Sequence, residues 1–139
     1  MPLAALSRWP WWRRWFGDRS ERAAARYLKR LGYRIHTRNY LCPRGELDII
    51  AIDGRCLVFA EVRSTASADS RRPVLSIDDE KKRRMTHAAL HFLQRHRYLK
   101  DPLARFDVLI VCWPPTEREP RIEHYPSAFE AVGRFQMGR

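Results

Sequence analysis

The sequence predicts an α/β fold, a mixed central sheet with helices on both of its faces. Three observations predict it. Two short β-prone runs, 46–52 and 55–62, flank Asp53-Gly54, a strong hairpin signal. Two stretches of helical periodicity, 18–31 and 76–99, lie on either side of that hairpin. A largely apolar run, "RFDVLIVCW" at 105–113, reads as a strand buried on both faces.

Each element has a local reason. Asp18 or Ser20 caps a helix running to about Leu31, with Gly32 as its stop and Ala24, Ala25, Leu28 and Leu31 as its apolar stripe. Tyr33 to Tyr40 reads as a strand, and "CPRG" at 42–45 as a turn. After the hairpin, 64–75 is polar and reads as a flexible loop. Ser76 and Asp79 form a capping box for a helix to about Leu99, with Met85, Ala88, Ala89, Phe92 and Leu93 inward. The buried strand follows, then a turn at "PPTEREP", an edge strand at "RIEHY" and a short final helix at "SAFEAVG". The predicted order is α-β-β-β-α-β-β-α, with no internal repeat.

Length and charge bound the function. At 139 residues the chain makes one domain with a real core. Its net charge of +11 is uneven: residues 1–44 hold eleven Lys/Arg against Asp18 and Glu21, and the remainder is nearly neutral. A basic third on a near-neutral body points to an anionic partner, either nucleic acid or an acidic membrane surface. Residues 1–16, "MPLAALSRWPWWRRWF", carry four of the five tryptophans and read as an N-terminal appendage. Residues 9–16 suit weak contact with a membrane surface, or stacking on bases. No apolar run approaches the length of a membrane span. Cys42, Cys56 and Cys112 have no zinc-like spacing, and their odd number, with no secretory signal, leads to the expectation of a reducing, cytoplasmic compartment.

The chemistry concentrates in "GELDIIAIDGRCLVFAEVRS", residues 45–64. With Asp53-Gly54 as a two-residue turn, opposed residues have numbers summing to 107. Ile52 then faces Arg55, Asp48 faces Phe59, and Glu46 faces Glu61. In that register Glu46, Asp48, Glu61 and Arg63 share one face, and Asp48 and Glu61 are diagonal neighbours about 7 Å apart. Two dry carboxylates so close either share a proton or hold a cation between them. Mg²⁺ suits the second case, because it uses one or two carboxylates and fills its other positions with water and phosphate oxygens. The alternative is pairing with local arginines at the sheet rim. Glu21 extends the buried stripe of the first helix, where it serves either a partner or the helix dipole. Lys81 lies on the inward stripe of the second helix, within reach of the hairpin acids or solvated with its "KKRR" neighbours. Arg105 and Asp107, both facing away from Phe106, either form a structural pair or border the site.

The blocks "GDRSERAAARYLKRLGYRI", "RNY…RGELDIIA", "LVFAEVRS", "DDEKKRRMTHAALHFL" and "RFDV" resemble, in order and spacing, the YraN-type proteins of bacteria. That group is similar to restriction-endonuclease-fold proteins and Holliday-junction resolvases. The resemblance covers about residues 17–125. It implies a restriction-endonuclease-like domain over 17–139 in which Asp48 and Glu61 hold Mg²⁺ or Mn²⁺ near the carbonyl of Val62. Glu21 matches the group's helix-one glutamate and is a further metal ligand or its support, Lys81 matches its helix-two lysine, and Glu46 orients its neighbours. Arg63 stands where the wider superfamily usually has lysine; arginine, which stays protonated, stabilises phosphate charge but is no general base. The implied activity is a metal-dependent endonuclease on DNA, including branched or structured DNA. The alternative is a non-catalytic nucleic-acid-binding module on the same fold. A homodimer is expected by analogy.

Overall fold

The computed structural model describes residues 11–66, 77–96 and 103–131, with side chains from Gly17 onward. Five strands lie side by side in chain order: β1 (Arg34–Cys42), β2 (Gly45–Asp53), β3 (Cys56–Thr65), β4 (Leu103–Cys112) and β5 (Arg121–Phe129). Neighbours are antiparallel except β3 and β4, which run parallel from Cys56↔Leu103 to Thr65↔Cys112. A parallel pair needs a crossover, and helix α2 (Asp79–Arg95) lies within it. Helix α1 (Trp11–Arg30) precedes the sheet. The sheet is therefore mixed and the fold α/β, as expected.

The helices cover opposite faces. Ala23, Ala24, Ala25 and Leu28 of α1 pack on Ile49, Ala51, Val58, Ala60, Leu109 and Val111. Met85, Ala88, Ala89 and Phe92 of α2 pack on Leu47, Ile50, Leu57, Phe59 and Phe106. Consecutive residues such as Leu57 and Val58, or Phe59 and Ala60, enter different clusters, as strand alternation requires. Central strands with both faces covered explain the near-continuous apolar runs at 57–60 and 108–111.

Several boundaries differ from expectation, each for a visible reason. Helix α1 begins at Trp11, so Asp18 and Ser20 are helical residues and not caps. Ser20 is fully buried, its Oγ accepting from Ser64 Oγ and from Trp113 Nε1 at 2.8 Å. The side chains of residues 9–16, on which membrane contact was expected, lie outside the described residues. Strand β1 runs on to Cys42, and β3 to Thr65, because β4 offers parallel partners to Ser64 and Thr65. The cap of α2 is Asp78, whose side chain accepts from Lys81 N at 2.8 Å, and not Ser76. That helix stops at Arg95, where the His96 ring nitrogen and backbone N–H both meet Phe92 O. Ser127–Phe129, expected to begin a helix, belong to β5; Pro126 and a positive φ at Ser127 (51°) suit an irregular edge strand.

Arg105 and Asp107 are a structural pair. Asp107 is fully buried and accepts from Arg105 Nε (3.0 Å), His124 Nε2 (2.7 Å) and Ser127 N (3.0 Å). Arg105 also donates to Tyr33 Oη at 2.7 Å and to Asp53. Burial alone would push the Asp107 carboxyl up. The hydrogen bonds from His124, Arg105 and Ser127 outweigh it and hold the group below the ordinary carboxylate value. The network fastens edge strand β5 to β4.

Candidate functional site

The site forms where the β2–β3 hairpin opens. The turn residues are Gly54-Arg55 rather than Asp53-Gly54, because Asp53 pairs with Cys56. Gly54 has φ +60°, in the first central position where a type II′ turn places glycine. Opposed residues therefore sum to 109: Ile52 faces Leu57, Ile50 faces Phe59 and Ile49 faces Ala60. The expected pairs Asp48–Phe59 and Glu46–Glu61 do not form. The shift moves each partner by two residues, so it preserves which residues share a face. One step beyond Ile49↔Ala60, that register sets Asp48 across from Glu61. Ladder pairing stops there, and the Asp48 carboxylate replaces it, accepting from Val62 N at 2.8 Å.

Strict alternation also fails at this point. Leu47 and Ile50 face α2, whereas Ile49 and Ala51 face α1. In the neighbouring strand Asn39 takes a left-handed conformation, φ 56°. On the other side β2 enters against α2, since a Cβ on Gly45 would lie 2.0 Å from Arg84 O. This close approach brings the first turn of α2 over the hairpin end.

Lys81 is the centre of the charge pattern. Its Nζ is 3.4 Å from Glu61 Oε1 and 3.8 Å from Glu46 Oε1. Arg63 Nε approaches the other Glu61 oxygen at 3.7 Å. Glu61 is buried. The Asp48 carboxyl stands well above the ordinary carboxylate range, chiefly because it is buried, then because of the charge of Glu61 and a hydrogen bond to it. Glu21, on the other face of the sheet, is also raised, to about 7, by burial first and against the pull of Arg38. Arg38 Nη2 lies 3.7 Å from Glu21 Oε1, which makes no hydrogen bond, and 3.5 Å from Asp18 Oδ1.

The structure thus joins Glu46, Asp48, Glu61, Arg63 and Lys81 in one cluster. Glu21 lies close enough to raise the Asp48 carboxyl further but pairs with Arg38. Sequence reasoning missed Arg38, Asn39 and Gly45. The register shift between Ile35 and Thr37 hides Arg38 from a period-two pattern, and only the approach of α2 gives Gly45 its role.

A family profile described as "Uncharacterised protein family UPF0102" matches residues 20–111. The chain belongs to the UPF0102 family. UPF0102 proteins from Geobacter sulfurreducens and Geobacter metallireducens are 46% and 41% identical to it over 114 residues, 82% of this chain and 88% and 91% of theirs. One from Syntrophus aciditrophicus is 44% identical over 119 residues, 85% of this chain and 91% of its own. The UPF0102 match contains every residue of the cluster and omits the Trp/Arg-rich start.

Among the described residues of this UPF0102 chain, no three His, Cys, Asp or Glu side chains are arranged to hold a metal ion. The cluster offers instead two crowded carboxylates. Their crowding favours a bound proton on Asp48, and a divalent cation relieves the same repulsion. Mg²⁺ needs no more than two carboxylates, so the donor set fits it. No helix of the described residues is long and apolar enough to cross a membrane.

Proposed function

We propose that the chain is a divalent-metal-dependent phosphodiesterase that cuts DNA, with branched or structured DNA as its substrate. The observation that carries this reading is the Asp48–Glu61 pair at the open end of the hairpin, beside Lys81 and Arg63, with Glu61 buried and the Asp48 carboxyl held above its ordinary range by burial and by Glu61. It agrees with the YraN-type, restriction-endonuclease-like resemblance and with the basic N-terminal third.

Asp48 and Glu61 would hold Mg²⁺ or Mn²⁺, with Glu21 supporting from α1. When bound, the ion supplies Lewis-acid polarisation of a phosphoryl group. Val62 N–H orients the Asp48 carboxylate by donating to Oδ2. Glu46 and Glu61 hold Lys81 Nζ between them. Lys81 and Arg63 stabilise negative charge developing on the phosphate. Arg63 moves no proton at working pH.

A second reading has its own observation. Lys81 and Arg63 both neutralise Glu61 without any ion, and the usual lysine is absent. A nucleic-acid-binding module that does not cut fits that arrangement. One comparison decides: the parent chain and Asp48→Ala, given labelled linear, flapped and four-way DNA with Mn²⁺ or with chelator. Mn²⁺-dependent cleavage, lost in the variant, is the expected result. Binding without cleavage, the same in both chains, refutes the enzyme and supports the module.

A further inference from the structure

Apart from the carboxylate cluster, a cleft of about 350 Å³ lies between the β1–β2 turn and the flank of α2. Its size is at the low end for small-molecule sites, roughly 300–1,000 Å³, and so suits one ligand of nucleotide size. Pro43 and Leu90 give it apolar walls, while Arg44, His87, His91 and Gln94 line it with polar and cationic groups. Three of these helical residues are spaced at four and three, so α2 presents them as one strip.

The cleft is built on fixed parts. His91 Nδ1 is 2.5 Å from Tyr40 Oη, which holds the imidazole plane from β1. The Gly45 backbone abuts Arg84 O, which clamps the turn carrying Pro43 and Arg44 onto the helix. His87 lies six residues beyond Lys81, about 9 Å along the helix axis. That is about three nucleotide steps at 3.4 Å each from the carboxylate cluster.

The chemistry selects a ligand class. A guanidinium and two imidazoles suit a phosphate. A primary amide, both donor and acceptor, suits the edge of a base. Apolar walls suit its faces. We propose that this cleft binds one unstacked nucleotide of a nucleic-acid strand, its base against Pro43 and Leu90 and its phosphate against Arg44 and the imidazoles. The inference rests on the nucleic-acid part of the proposed function and narrows it: the substrate carries an unpaired nucleotide about three nucleotides from the scissile position.

Cys42 lines the same cleft as a free thiol and reports its occupancy. The full chain, in chelator, is treated with iodoacetamide alone and with deoxyadenosine monophosphate, deoxyadenosine or inorganic phosphate. Alkylation is followed at Cys42 and Cys56 by peptide mass. The monophosphate is expected to slow Cys42 and leave Cys56 unchanged. In parallel, Arg44→Ala/Gln94→Ala is expected to weaken binding of a labelled single strand about tenfold, the scale of one lost charge-assisted hydrogen bond, with blunt-duplex binding unchanged. Protection by inorganic phosphate equal to that by the nucleotide overturns the proposal, as does single-strand binding unaffected by the double variant. Because chelator is present throughout, a chain that never cuts DNA can still pass. A chain that cuts but shows no protection sinks the cleft alone.

Discussion

Replacing Glu21 by glutamine is expected to stabilise the protein at pH 8 and to have little effect at pH 4. The Glu21 side chain is 15% exposed, its Oε1 makes no hydrogen bond, and its nearest cation is Arg38 Nη2 at 3.7 Å. Burial raises its carboxyl from 4.5 to about 7, against the pull of Arg38 and with some help from Asp18 and Glu46. Between those two values the folded chain keeps a proton that the unfolded chain releases. Stability therefore falls as pH rises through that window, and the whole penalty is present above about 7. The displacement sets a ceiling of about 3.4 kcal/mol at 1.36 kcal/mol per pKa unit. Screening by water at a partly exposed carboxylate reduces this to about 1–2 kcal/mol. Glutamine removes the charge and keeps the shape, and Arg38 retains Asp18. Urea unfolding, followed by tryptophan fluorescence at pH 4 and pH 8, measures both ends. The expected result is a variant more stable by about 1–2 kcal/mol at pH 8, roughly 4–8 °C in Tm for a chain of this size, and equal at pH 4. A variant no more stable than the parent at pH 8, or one with the same gap at both pH values, refutes the reasoning.

Two further substitutions test the frame around the site. Asp107→Ala strips Arg105, His124 and Ser127 N of a shared buried acceptor, and is expected to cost about 3–5 kcal/mol in urea unfolding, with hydrogen exchange rising first in β5; exchange that rises evenly through the chain would contradict a local role. Gly45→Ala places a Cβ 2.0 Å from Arg84 O and is expected to cost about 2–3 kcal/mol of thermal stability while parting Lys81 from Glu46; an alanine chain as stable as the parent would show that the helix does not sit so close.

The local residues announced much of this architecture. Asp53-Gly54 between two apolar runs marked the hairpin, and the Ala-rich and Met85–Phe92 stripes marked the two helices, because these signals need only neighbours in sequence. The one-position error in the turn moved partners by two residues, which leaves face assignments unchanged along the regular part of the ladder, from Ile49 to Ile52; beyond it alternation fails, and the contacts of Glu61 with Asp48, Arg63 and Lys81, and of Lys81 with Glu46, join the group instead. The pairing of β3 with β4, which carried Ser64 and Thr65 into the sheet, was not legible, because those strands lie nearly forty residues apart and neither encodes its neighbour. Nor was the cap: Ser76 and Asp78 are both good caps by type, and the sequence pattern alone does not choose between them. The sequence by itself determined which acids and bases meet at the hairpin end. Only the tertiary structure decided their state. Burial raised Asp48 and Glu21, the approach of α2 at Gly45 set Lys81 between Glu46 and Glu61, and the packing of α1 on the sheet brought Glu21 to Arg38, because desolvation and charge proximity arise only when distant segments close over one another.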